Sequence, residues 1–365
     1  MRIPSINLSA PAESCPWVAA MKATAQSPEY HAEGDVWTHT LMVLDEAKRI
    51  AWQIGLCPID EQLLLWGALL HDCGKPETTF YEDGRWRSPG HSRVGAEKAR
   101  RLFWELGADT EAQRAIHAMV RFHSFPCYFM PRGNAADIAF ASQFADLSLL
   151  SLLAKSDMRG RICCSSDEPD MVASVELFVD AATELSCGKA PYRFSNDFSR
   201  FVFCREFSKD AYLPYERHDP STHTLFITCG LPGSGKSTWS AMQGLPVVSI
   251  DSWCKALGVK PGTDAFGTAL NSAYDEVKRI LAAKTSMVFD ATTLRADFRR
   301  KLVDYALIYG AKAEIAVFNP PVDACLRGNS ERSASVQRRV FEKMVKNFEF
   351  PSLAEAWAVR VIRDT

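Results

Sequence analysis

The run Gly230-Leu-Pro-Gly-Ser-Gly-Lys-Ser-Thr238, set between the apolar segment TLFITC and a helical stretch, constrains this chain more than any other feature. After a strand, such a loop turns successive backbone N–H groups inward, and the N-terminus of the following helix points at the same spot, so the whole is built to hold phosphate. Gly233, Ser234 and Gly235 form the cradle, Lys236 can reach the β- and γ-phosphates of an NTP such as ATP, Ser237 can bind Mg²⁺, and Thr238 closes the Walker A pattern. Around it, residues 224–365 alternate short β-branched runs (Thr224–Thr228, Pro246–Ile250, Met287–Phe289, Ala313–Phe318, Val359–Ile362) with amphipathic stretches. That alternation predicts an α/β domain with a parallel sheet.

Carboxylates end two of these runs. Asp251 stands at the carboxyl end of VVSID, the edge that faces the ligand crevice of a doubly wound sheet, where it can take the proton of an acceptor hydroxyl. The competing reading is a helix N-cap. Asp290, in VFDATT, repeats the placement and suits Mg²⁺-bound water or substrate. Arg332 lies on the segment before a helical pattern over 336–348, positioned to stabilise charge on a transferred phosphoryl group. On that helix Arg339, Lys343 and Lys346 share a face, which reads as solvated.

The first half is a series of helical patterns: Val36–Ile54, Glu61–Cys73, His91–Gly107, Thr110–Ser124, Ala135–Asp157 and Asp170–Leu185. Its chemistry lies in spaced ligand types: His39, His71, Asp72, His91, His123 and Asp157. His71 and Asp72 fall at the end of an apolar helix, before a stop at Gly74 and Pro76, and so can face a cavity. Imidazole mixed with carboxylate suits Mn²⁺, Fe²⁺, Co²⁺, Ni²⁺ or Zn²⁺ better than Ca²⁺ and leaves room for phosphate oxygens, which Lys75 would also face. Singly each has a plainer reading: His39 in a core, Lys75 as a helix C-terminal charge, Asp157 as a cap. His117, six residues before His123, falls on another helix face.

At 365 residues the chain exceeds a single domain of about 100–200 residues. The patterns divide it into a helical domain over 1–205, a connection over 206–223 and the α/β domain over 224–365; the Phe residues near the connection are expected to pack between domains. With 47% apolar and 24% charged residues it is no disordered or fibrous chain. Its longest apolar run, Leu63–Leu70, is far below the roughly 20 residues of a membrane span, and the N-terminus lacks a signal-type apolar core. Eleven cysteines without a CxxC pair indicate neither a disulfide framework nor a zinc knuckle, and a cytoplasmic location is expected. The net charge of −2 hides an uneven distribution: +5 over 224–365 and −7 before it. A basic second half suits a polyanionic partner.

Taken together, THTLMV, HDCGK, GHSRVGA, VRFH and AKSDMRGR resemble the HD phosphohydrolase superfamily. Likewise GLPGSGKST, the strand ending in Asp251, VFDATT, Asn329-Ser-Glu-Arg332 and a helix ending near FEFP resemble the kinase module of polynucleotide 5′-kinases. In that order they resemble the bifunctional bacterial enzymes that heal RNA ends. The resemblance implies that the HD domain removes 2′-phosphate or opens and hydrolyses 2′,3′-cyclic phosphate. It also implies that the kinase phosphorylates 5′-OH ends of RNA or DNA, with Asp251 activating the hydroxyl and Arg332 contacting ATP, and that a separate RNA ligase uses the product. This sequence departs from the kinase pattern in Cys254-Lys255, where an arginine usually follows the base, and in Gly328, where the lid often carries Arg. A small-molecule kinase fused to an HD nucleotide phosphohydrolase would use the same motifs, as would a nucleotide sensor. Oligomeric state is left open.

Overall fold

In the computed structural model, which describes residues 1–5, 16–130, 133–163, 168–260, 263–332 and 335–362, the chain divides into two units. The first comprises residues 1–193 and 208–213, the second 194–207 and 214–365. Measured against the sequence division at 205/206, the segment Phe194–Phe207 falls with the second unit.

The first unit is a helical bundle of α1 (Pro16–Lys22), α2 (Val36–Ile54), α3 (Pro58–Leu70), the single turn α4 (Lys75–Thr78), α5 (His91–Glu105), α6 (Thr110–Phe122), α7 (Ala135–Ser142), α8 (Leu147–Arg159) and α9 (Glu168–Glu184). Asp35 starts α2 by accepting hydrogen bonds from the N–H groups of Trp37 and Thr38. One face of α2 is buried at Val36, His39, Thr40, Val43, Leu44, Ala47, Ile50 and Ala51, the spacing of a single helical stripe. His39 thus lies in the apolar stripe itself. The stripe packs against α3 and α8 and shares one apolar core with Leu64, Phe103, Ile116 and Leu153. Two expectations change here. The pattern over Ala135–Asp157 is not one helix: it breaks between Ser142 and Leu147, where the Asp146 side chain caps the new helix at Leu149 N–H, and α7 and α8 meet at 104°. And the short segments β1 (Phe80–Glu82) and β2 (Arg85–Arg87) form an antiparallel hairpin that periodicity could not reveal. Among the described residues no single helix is long and apolar enough to cross a membrane.

The second unit begins with α10 (Asp197–Arg205), followed by β3 (His223–Gly230), α11 (Lys236–Met242), β4 (Val247–Ser249), α12 (Ile250–Ala256), α13 (Phe266–Ala282), β5 (Met287–Asp290), α14 (Ala296–Ile308), β6 (Ala311–Phe318), α15 (Val322–Ser330), α16 (Arg338–Lys346) and β7 (Ala358–Val361). The five strands are parallel in the order β4-β5-β3-β6-β7. β3 and β5 are buried on both faces, as their near-continuous apolar sequences require. The chain leaves β3 toward β4 and β5 on one side and later lays β6 on the other, so the carboxyl end of β3 is the switch point where such sheets bind ligands. Of the aromatic residues expected to pack between domains, Phe198 and Phe201 instead stack inside this unit on Trp357, with ring centroids 5.2 and 4.4 Å away.

The segment before β7 is fastened by a buried ion pair. The fully enclosed Arg299 of α14 donates to both Glu355 oxygens at 2.7 and 3.1 Å and to Thr293 O at 2.8 Å. Glu355→Ala leaves that guanidinium uncompensated in the core and is expected to cost about 3–5 kcal/mol. Denaturant unfolding followed by a probe in the second unit checks it; a midpoint within error of wild type would refute the assignment.

Candidate active sites

In the first unit, six side chains from α2, α8, the α3–α4 turn, the start of α5 and the end of α6 converge. His39, His71 and Asp157 form one group, and Asp72, His91 and His123 another, the ligand atoms of each group lying within 4.8 Å of one another. Asp72 straddles the two. Its Oδ2 is 3.2 Å from His71 Nε2, while its Oδ1 is 3.5 Å from His91 Nε2 and 3.9 Å from His123 Nε2. The orientation of the rings has a local cause. His71, His91 and His123 each turn Nδ1 to the carbonyl three residues earlier, Ala68, Ser88 and Val120, at 2.8 Å in every case. His39 directs Nδ1 to Gly160 O at 3.1 Å and to Glu33 Oε1 at 2.9 Å. A neutral imidazole that donates from Nδ1 presents a lone pair at Nε2, so all four Nε2 atoms face inward as metal-binding atoms do.

The charges agree with that use. Burial acts to raise the Asp72 pKa, but Lys75 foremost, then His71 and His91, hold the carboxyl well below the usual range. Arg161 and His39 do the same for Asp157. Burial, reinforced by His71, pushes His123 down to about 4, so its ring stays neutral. His39 is the exception: burial lowers its pKa, yet bonds to Asp157 and Glu33 raise it overall, so a metal taken up there would displace a proton. The donor set therefore fits one or two divalent transition-metal ions.

Gly74 was expected to stop a helix, but α3 already ends at Leu70 and the Gly74 backbone is right-handed, φ −90°. Its role is close approach: a Cβ there would lie 2.1 Å from His91 O and 2.6 Å from Gly95 N. Without a side chain at Gly74 the HDCGK turn can rest on α5, which brings Asp72 to His91. Lys75 sits 2.7 Å from Asp72 Oδ2 and 2.6 Å from Gln26 Oε1. His117 pairs with Glu97 outside the cluster.

Sequence reasoning missed Gln26, His31, Glu33 and Arg161. Glu33 Oε1 lies 2.9 Å from both His31 Nδ1 and His39 Nδ1, and its Oε2 accepts from Ile162 N at 2.9 Å. Burial would raise the Glu33 pKa, but its bonds to His31 and His39 lower it overall. No periodicity marks that loop; an acidic residue six positions before His39 was its one sequence signal.

In the second unit, Gly235 starts α11, with Ser237 and Thr238 exposed at its first turn and Gly233 and Ser234 in the loop before it. The buried Lys236 folds back, donating to Leu231 O at 2.6 Å and to Ser234 Oγ at 3.2 Å. Burial lowers its pKa to about 8 against the opposing pull of Asp290. Asp290 ends β5, beside β3, with Oδ1 3.4 Å from Thr228 Oγ1. Asp251 is not the cap of α12: Ser249 is, its side chain accepting from Ser252 N, and Asp251 is left in the first turn, exposed, 3.4 Å from Arg332 Nη2. Asn329 holds the loop that carries Arg332 by bonding Val336 through both side-chain atoms, at 2.9 and 3.0 Å.

The two departures have structural reasons. Cys254 faces the core while Lys255 is exposed. Gly328 lies against the phosphate loop, where a Cβ would stand 2.5 Å from Gly233 O; Gly233, at φ +77°, would in turn place one 2.3 Å from Asn329 N. An arginine does not fit at Gly328 with the loop in this position.

Residues 36–138 match the HD domain family, and residues 225–351 match the AAA domain family. This is an HD domain joined to a P-loop kinase-like domain. A P-loop domain of this type implies an NTP with Mg²⁺, and an HD domain implies a divalent metal. The multifunctional CCA protein of Halorhodospira halophila is 36% identical over 109 residues, covering 30% of this chain and 24% of that protein. The CC-adding tRNA nucleotidyltransferase of Thermus thermophilus is 39% identical over 90 residues, covering 24% and 19%. The chain thus spans a quarter or less of the length of these curated relatives. Among solved structures, Kti12 of Chaetomium thermophilum in complex with ADP-AlF3 is similar at 19% identity and a TM-score of 0.32, over 38% of this chain and 88% of that one.

Proposed function

We propose that the chain heals nucleic-acid ends. The P-loop domain transfers the γ-phosphate of an NTP to a 5′-OH, and the HD domain hydrolyses 2′-phosphate or 2′,3′-cyclic phosphate, leaving ends that a separate ligase can join. The observation that carries the reading is that each domain holds a phosphate-binding device and a carboxylate bound to a cation: the Lys236 loop and the Asp251–Arg332 pair in one, Lys75 bound to Asp72 of the His/Asp cluster in the other. The printed name of the Thermus thermophilus relative, a tRNA nucleotidyltransferase, also supports RNA-end chemistry.

In the kinase step Asp251 accepts the proton of the acceptor hydroxyl as its oxygen bonds to the γ-phosphorus and the bond to the β,γ-bridging oxygen breaks, releasing the nucleoside diphosphate. Arg332, now paired with Asp251, would turn its guanidinium to the phosphoryl oxygens. Ser237, at the start of α11, would supply the hydroxyl that binds Mg²⁺, and Gly233 to Thr238 would hold the phosphates. In the HD domain His39, His71, Asp72, His91, His123 and Asp157 would hold the metal, which when bound activates water and polarises the ester. Lys75 holds a phosphate oxygen. Mn²⁺, Co²⁺, Ni²⁺, Fe²⁺ and Zn²⁺ all match the donors.

The test is incubation with ATP and a short oligonucleotide bearing 5′-OH and 2′-phosphate ends, with and without Mn²⁺ or Ni²⁺, against nucleosides and sugars as acceptors. Phosphorylation of the small acceptors but not of the oligonucleotide would replace this reading with a small-molecule kinase.

A proton accompanies nucleotide binding. Lys236 titrates at about 8 before its phosphates arrive, and their charge restores its ordinary affinity for protons, so ATP binding near pH 9 is expected to take up a proton. At pH 6.5 the group is already charged and contributes no uptake. Calorimetry in buffers of different ionisation enthalpy reads this directly, and Lys236→Arg, whose guanidinium does not titrate, should abolish the uptake.

A further inference from the structure

Two cations press on the carboxylates of the HD cluster. Lys75 is bound to Asp72 Oδ2; Arg161, just past α8, has Nη2 2.7 Å from Asp157 Oδ1 and donates from Nε to the Asp157 carbonyl at 3.2 Å. Their side chains are 13% and 10% exposed, too enclosed for ordinary surface charges. The plain account of Arg161 is that it neutralises Asp157. Two observations go further. Anchoring uses only Nε and Nη2, and Nη1 has no partner among the described residues, so one edge of a rigid, five-donor group is left over. Moreover, the two carboxylates approach the same pair of histidines. Asp157 Oδ1 is 3.1 Å from His39 Nε2, and Asp72 Oδ2 is 3.2 Å from His71 Nε2 and 3.9 Å from His39 Nε2. Lys75 and Arg161 therefore flank that pair, each held by a carboxylate beside it.

A cation pair around a metal has an evident ligand class: a phosphate group, whose oxygens exceed what the metal can take and whose geometry matches a guanidinium edge. We propose that Arg161 is a substrate-binding residue of the HD site, its free edge gripping a non-bridging phosphate oxygen while Lys75 takes another. The proposal rests on the reading of the HD domain as a metal-dependent phosphoesterase. It adds a residue outside the matched span 36–138.

The experiment titrates the Mn²⁺-loaded full chain with inorganic phosphate by calorimetry, for wild type, Arg161→Gln and Arg161→Lys, after a separate Mn²⁺ titration of each. The expected result is wild-type Mn²⁺ stoichiometry in both variants, phosphate affinity about tenfold or more weaker in Arg161→Gln, and an intermediate value in Arg161→Lys. Unchanged phosphate affinity in Arg161→Gln overturns the proposal. So does loss of Mn²⁺ from both variants with folding intact by circular dichroism, which would make Arg161 only a support for Asp157. Wild type that binds no Mn²⁺ and hydrolyses no phosphate ester would instead sink the phosphoesterase reading itself.

Discussion

Asp72→Ala is expected to reduce phosphate-ester hydrolysis by at least about a hundredfold while 5′-kinase activity persists. Three consequences of one deletion combine. The variant loses the carboxylate that faces both ligand groups, with Oδ2 toward His71 and Oδ1 toward His91 and His123. It leaves Lys75 without its ion-pair partner beside the imidazoles, so the pocket becomes more positive and repels a cation. And it opens a space that water can fill. Metal content should fall with activity, which atomic absorption on the purified variant measures independently of any assay. The P-loop domain uses none of these residues. If a correctly folded variant retains full hydrolysis, the cluster is structural; if it loses the kinase, the two chemistries are not separate.

Asp251→Ala is expected to cut phosphoryl transfer by about 10²–10⁴-fold while ATP binding stays near wild type. The effect should be chemical rather than structural. Asp251 is 78% exposed and its pairing with Arg332 is a surface ion pair, of small worth to folding. Ser249, not Asp251, caps α12, so the helix keeps its start. The nucleotide contacts lie in the Gly230–Thr238 loop, which the substitution does not touch. Filter binding of labelled ATP beside a 5′-end labelling assay separates the two quantities, and transfer at the wild-type rate would remove Asp251 from the base role.

Much of this architecture was legible because its signals are local. Asp35 and the apolar stripe of α2 set that helix at the predicted Val36–Ile54. The phosphate loop announces itself by composition. The six ligand-type residues could be picked out by their order in motifs that resemble the HD superfamily, not singly, and the structure gathers them into two groups of three that Asp72 links. What was hidden depends on contacts distant in sequence. Glu33 and Arg161 take their meaning from His39 and Asp157: Glu33 lies in a loop without periodicity, and Arg161, though it ends the motif AKSDMRGR, shows no role until it is seen against Asp157. The break between α7 and α8 was concealed by apolar residues that keep helical spacing across it, while one capping aspartate, Asp146, marked the new start. Gly74 was noticed for the wrong property. Its value is thinness, which only the position of α5 reveals.

The carbonyls that orient His71, His91 and His123 each lie three residues back along the same chain. A ligand aimed by its own turn of backbone needs no help from the rest of the fold to point correctly; folding has only to gather three turns that are already aimed. Metal then enters a receptor whose side chains have few rotamers left to lose, so little ordering entropy offsets the coordination energy. The HD domain should accordingly be a finished scaffold before any ion arrives, unlike the small zinc modules that stay unfolded until metal assembles them.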